Sequence, residues 1–180
     1  MNSSDVSANS NINNSKRSTN LTISKPSIAE FKTIIKDITS NQNMIALKDK
    51  NQHAHHSRFN HCLSVSYYTY YICKKLNLDY VSAARGAMLH DFYFYDWRDQ
   101  NVEDQEKWHA FKHPEIALNN ALDLFDLNKI EQDIILKHMW PLTIIPPKYM
   151  ESYIVTLVDK YCATHELIKA LKKEIKERSH

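Results

Sequence analysis

A single glycine, Gly86, stands in 180 residues. Glycine supplies the close backbone approach on which phosphate-cradling loops depend. No GxGxxG or GxxxxGK(S/T) string occurs, so a Rossmann or P-loop nucleotide site is excluded. Asn-Gly and Asp-Gly hairpin turns are missing too, and the β-branched clusters fall within helical periodicity. No apolar run approaches the roughly 18 residues of a membrane-spanning helix. The N-terminus lacks a positive segment followed by an apolar one, so a cytoplasmic protein with no membrane partner is expected. Cys62, Cys73 and Cys162 show no CxxC spacing and sit in apolar stretches, as small core residues of a reducing compartment do. An excess of charge of one sign is missing: 23 Lys and Arg stand against 21 Asp and Glu, and the formal net charge of +2 is too small to imply a nucleic-acid partner. The run Lys169, Lys172, Lys173, Lys176 and Arg178 alternates with Glu166, Glu174 and Glu177 and reads as a solvated helix face.

What is present is an ordinary globular composition, 43% hydrophobic and 24% charged. Residues 1–24 are mostly Asn, Ser and Thr with little to bury, and a disordered tail is expected there. Residues 25–180 then form one domain. Ser27-Ile28-Ala29-Glu30 spells a capping box after Pro26, and Phe31, Ile34, Ile35 and Ile38 recur at helical spacing. Leu63, Val65, Tyr68 and Ile72 predict a helix over 60–76. Another covers 80–91, with Val81, Ala84 and Met88 inward. His113-Pro114 is expected to open the next, since proline suits a first helical turn. Ile130, Ile134 and Ile135 mark a helix ending near Pro141. A long last helix starts near Tyr149 and runs past Asp159, with a break allowed for near Thr164. The fold class predicted is all-α.

Ten histidines are unevenly placed along this pattern. His61 starts one predicted helix, His90-Asp91 ends the next, His113 starts a third and His138 ends a fourth. Asp159 sits within the apolar run Ile154-Val155-Thr156-Leu157-Val158. A carboxylate in such a run must be paired, hydrogen-bonded or metal-bound to be tolerated, and a salt bridge would suffice. Imidazole with carboxylate suits Zn, Fe, Mn and similar ions. His61 is followed by His90-Asp91 after 29 positions, then by His113, His138 and Asp159 at intervals of 21 to 25. Antiparallel helices of comparable length can bring such residues to one level of a bundle, a usual place for metal sites.

The order H…HD…H…H…D resembles the HD superfamily of metal-dependent phosphohydrolases, and most of all its members with two extra histidines before the last Asp. Phe59-Asn60-His61-Cys62-Leu63-Ser64-Val65 looks like that family's first-His helix. Ala83-Ala84-Arg85-Gly86-Ala87-Met88-Leu89-His90-Asp91 looks like its small-residue helix, and Leu157-Val158-Asp159-Lys160 like its last-Asp helix. The similarity covers about residues 50 to 165. It implies an HD-domain helical bundle. It also implies metal ligation by His61, His90, Asp91, His113, His138 and Asp159, with Asp91 bridging and with Asp91 and His90 at the catalytic centre. The implied cofactor is a pair of divalent transition metals, Fe or Mn first, with Zn, Co or Mg as the other candidates. The implied reaction is hydrolysis of a nucleotide or other small phosphate ester by a metal-activated water. Some relatives of this kind are di-iron oxygenases and others non-catalytic regulatory modules; both stand as alternatives.

Two family features are missing. The lysine that many members carry after HD is replaced by Phe92-Tyr93-Phe94-Tyr95-Asp96-Trp97, and the GYP element is absent. Another cation must then meet a phosphate, and the candidates are Arg58, Arg85 and Lys160. His109, four residues before His113, is a candidate for orienting substrate. His53, His55 and His56 read as a polar loop, His165 and His180 as surface residues, and Trp140 and Tyr149 as packing residues.

Overall fold

The computed structural model describes residues 25–53, 56–94 and 103–178. The tail expected over residues 1–24 lies outside them, as do His55, His180 and residues 95–97 of the segment after HD. Eight α-helices occur among the described residues: α1 (Ile28–Ile34), α2 (Lys36–Thr39), α3 (Gln42–Ala46), α4 (Arg58–Lys75), α5 (Tyr80–Leu89), α6 (Glu103–Leu122), α7 (Lys129–Lys137) and α8 (Met150–Arg178). The predicted all-α bundle is what the chain forms. The one addition is a two-stranded antiparallel ribbon, β1 (Asn51–His53) with β2 (His56–Ser57), where a polar loop was expected. No helix among the described residues is long and apolar enough to cross a membrane.

The small-residue helix α5 is the axis of the fold. Its Ala84, Met88 and Leu89 join Phe31, Ile35, Ile38 and Phe59 in one half of the core. Its Ala83 and Ala87 join Ile134, Val155 and Val158 in the other. A helix surrounded on all sides must be thin, and Ser82, Ala83, Ala84, Gly86 and Ala87 make it so. Val81, expected inward, is 40% exposed instead, while the larger Met88 and Leu89 of the same helix are fully buried. On α4, Tyr68 and Ile72 likewise turn outward while Cys62, Val65 and Cys73 are buried.

Gly86 marks a close approach of α5 to α7. A Cβ there would lie 2.9 Å from Ile134 Cδ1 and 3.0 Å from Ile134 Cβ, and the latter cannot swing away. Gly86→Ala should therefore cost about 1–3 kcal/mol of overpacking, against about 1 kcal/mol gained in helix propensity. The net loss, up to about 2 kcal/mol, should lower the midpoint of a melt followed by circular dichroism by up to about 8 °C. A raised midpoint would mean that α5 and α7 separate without cost.

Helix ends follow local chemistry, with two corrections. Asp79 and Asn128 cap α5 and α7, and Asn128 with Glu131 completes a full capping box. α4 closes in a Schellman turn, Leu78 N to Cys73 O at 2.9 Å and Asn77 N to Lys74 O at 3.4 Å. Asn77 takes the left-handed conformation at φ 55°. The box spelled by Ser27 and Glu30 does not form, because Ser27 makes no side-chain cap. Glu30 instead accepts from Tyr70 Oη at 2.5 Å and Tyr80 Oη at 3.2 Å, and pairs with the buried Lys74. Charged and phenolic donors from other helices outcompete a local backbone N–H. The second correction concerns His113-Pro114, which does not open a helix: α6 starts at Glu103 and carries Pro114 inside it. The last helix runs unbroken through Thr164.

Candidate metal centre

Five helices each deliver polar side chains to one buried point. His61 comes from the first turns of α4, His90 and Asp91 from the C-terminal end of α5, His138 from that of α7, and Asp159 from the middle of α8. His113 arrives from α6. His61, His90, Asp91, His113 and His138 are at most 5% exposed. Asp159 is 13% exposed.

The distances resolve the cluster into two triads. The ligand atoms of His61, His90 and Asp91 lie within 4.8 Å of one another, and so do those of Asp91, His113 and His138. Asp91 is common to both: Oδ2 is 3.6 Å from His90 Nε2, while Oδ1 is 3.3 Å from His113 Nε2 and 3.6 Å from His138 Nε2. Asp159 Oδ1 stands 3.0 Å from His61 Nε2 and 3.5 Å from His90 Nε2, on the side of the first triad.

Hydrogen bonds set the tautomers. His90 Nδ1 is 2.7 Å from Ala87 O, and His138 Nδ1 is 2.8 Å from Ile135 O. A carbonyl only accepts, so in each ring Nδ1 carries the proton and Nε2 of the neutral ring presents its lone pair to the cluster. His61 Nδ1 lies 3.2 Å from both oxygens of Glu166, which fixes that ring the same way. Carboxylate or carbonyl behind the ring and lone pair in front is the arrangement by which proteins orient metal-binding histidines.

A cation fits what these residues leave open. His90 Nε2 is buried with no hydrogen-bond partner. His113 Nε2 and His138 Nε2 face each other at 2.8 Å, where His138 has only a lone pair to offer. Burial would push the His61 imidazole down, yet the carboxylates of Asp159 and Glu166 outweigh it and lift the ring to about 10. A proton there substitutes for the positive charge that the carboxylates demand. His138 goes the other way, driven to about 3 by burial and by its neighbours His113 and His90. Burial would raise the Asp91 and Asp159 carboxyls, but the surrounding imidazoles hold both well below the usual carboxylate range.

Glu166 belongs to a run that the sequence reads as a solvated helix face, yet it is 6% exposed and holds His61 from behind. The signal was its spacing, since seven residues beyond Asp159 is nearly two full helical turns and returns to the same face. Tyr93 is a second residue the sequence did not single out. Arg58, entirely buried, lays its guanidinium 3.6 Å over the Tyr93 ring and donates from Nη1 to Tyr93 O at 2.6 Å. The same ring lies 5.5 Å from that of His113. Arg58 thus supports the wall behind the cluster. Arg85 is committed elsewhere, to Glu131 at 2.8 Å and Asp37 at 2.7 Å. Lys160 Nζ donates to His138 O at 3.1 Å, and burial pushes its ammonium below the ordinary value with Asp159 partly opposing. His109 lies one turn before His113 in α6, and its side chain falls outside the described residues, as do those of His53 and His56. Trp140 packs edge-on against Tyr153 with ring centres 5.6 Å apart.

A helical bundle with buried histidines and aspartates converging on a carboxylate shared by two triads defines a domain with a candidate metal centre. The family model of the HD domain matches residues 58–164, more than half of the sequence, and the chain belongs to that family. No curated protein and no solved structure matches it. HD domains form a superfamily of the metal-dependent phosphohydrolase type.

Proposed function

We propose that this protein is a metal-dependent hydrolase of a small phosphate ester or anhydride, with nucleotides among its candidate substrates. The observation that carries the reading is Asp91, whose two oxygens face different triads. Its neighbours His61, His90 and Asp159 would hold one divalent ion, His113 and His138 the other. Two such ions would outweigh the two aspartates in charge, and would supply Lewis acidity to a phosphoryl oxygen and to an attacking water. The chain's own part is to aim each ring's Nε2 at the cluster through the acceptor behind Nδ1, and to keep bulk water from the imidazoles. Among the described residues, Lys160 is the sequence-predicted cation whose ammonium stands beside a ligand-bearing residue, and it is assigned the contact to substrate phosphate.

The test is phosphate release. Chain purified without a polyhistidine tag and reconstituted anaerobically with Mn or Fe should liberate inorganic phosphate from some member of a panel of nucleotides and phosphomonoesters. Lys160→Ala should raise KM more than it lowers kcat. Fully loaded protein that releases no phosphate from the panel would sink the proposal, and oxygen uptake by a two-iron form would replace it with an oxygenase.

Glu166 tests the orientation of His61. Glu166→Ala removes the acceptor behind the ring and should weaken metal affinity about 10- to 100-fold. Competition against a chelator of known strength measures the change, and wild-type affinity in that variant would show that His61 needs no such support.

A further inference from the structure

Helix α8 has two apolar faces, and only one of them serves its own bundle. Val155, Val158, Cys162 and Ala170 are buried there, together with Glu166. The other face carries Leu157 (67% exposed), Tyr161 (63%), Ile168 (44%), Leu171 (48%) and Ile175 (65%), with the exposed Thr164 between Tyr161 and Ile168. The steps between these positions are 4, 3, 4, 3 and 4 residues. That alternation is the spacing of a coiled-coil seam, and the exposed Leu167 (51%) flanks it beside Ile168. The stripe is about 27 Å long at 1.5 Å per residue. Its last three members lie beyond residue 164, where the HD match ends. Glu166 and Ala170 still hold this part of the helix against its own domain, so the stripe stays on the outside. Near its start the Tyr161 ring meets that of the half-exposed Tyr68, 6.4 Å away and edge-on, and so widens the apolar surface onto α4.

We propose that this stripe is the seam of an antiparallel, twofold-symmetric dimer of the chain. A second copy fits because the stripe is complementary to itself. With the crossing midway between Thr164 and Ile168, Leu157 meets Ile175 of the other copy, Tyr161 meets Leu171 and Thr164 meets Ile168. One crossing point serves every layer, as an isologous contact requires. Parallel pairing would set Thr164 against Thr164. It would also lay the cationic ends bearing Lys169, Lys172, Lys173, Lys176 and Arg178 side by side. The antiparallel arrangement separates those charges and opposes the two helix dipoles.

Sedimentation velocity on the full chain, from about 1 to about 100 μM, should show a dimer across the upper part of that range. Leu171→Glu should raise the dissociation constant at least about a hundredfold, since the change occurs twice in each dimer. Leu171→Glu combined with Ile168→Glu should be monomeric throughout, with helix content unchanged, because both side chains point away from the core. Orientation is read from cysteine cross-linking: Thr164→Cys mixed with Ile168→Cys should link, and neither should link to itself. A wild-type monomer at every concentration, a dimer that survives the double variant, or ready self-linking of Thr164→Cys would each overturn the proposal. So would a monomer that sediments with phosphatidylcholine–phosphatidylserine vesicles, which would make the stripe a lipid-facing one.

Discussion

If the proposed pair of metals binds, Asp91→Ala should strip the protein of both at once. Each triad keeps only histidines when that carboxylate is gone, together with the peripheral Asp159 on one side. Bound metal should fall from two per chain to below one half, while His113→Ala, which touches a single triad, should retain one. Phosphate release should drop at least about a thousandfold in Asp91→Ala, the several kcal/mol that metal-ion catalysis supplies. Helix content serves as the control, and metal analysis on desalted protein is the readout. Undiminished stoichiometry in Asp91→Ala would remove the shared carboxylate from the site.

The second large effect falls on stability. Arg58 is among the largest fully buried side chains of the described residues, and it is stacked and hydrogen-bonded to the residue that follows His90-Asp91-Phe92. Arg58→Ala leaves a void beneath Tyr93 and orphans a buried carbonyl. A loss of about 2–4 kcal/mol is expected. For a chain of this size the melting midpoint should fall by about 4–16 °C. Arg58→Lys keeps the charge but not the flat, forked group, and should recover only part of the loss. A substrate-contacting Arg58 would behave oppositely, with an unchanged melt and a raised KM.

Much of this site was legible because metal chemistry restricts residue types and helix geometry restricts their spacing. His61, His90-Asp91, His113, His138 and Asp159 could be picked out for that reason, and the structure brings them together. The start of α6 was hidden because Glu103-Asp104-Gln105-Glu106-Lys107 offers no apolar period and Pro114 mimics an opening turn. Glu166 was hidden because a glutamate among lysines looks the same whether it faces water or a histidine. Ser27 and Glu30 show the converse: the letters of a local motif were present, yet partners 40, 44 and 50 residues away claimed the carboxylate. Outward Val81 shows that on a helix of alanines size does not mark the inside.

His90 and His138 share one device: each ends its helix and bonds through Nδ1 to the carbonyl three residues back. The acceptor that aims each ring is therefore part of the same short peptide, and it is a carbonyl that every helix end leaves over. Such a half-site is portable. Grafting two helix termini of this type, face to face, onto an unrelated bundle would bring the correct tautomers with them, and a designer would have only the acidic bridge left to place.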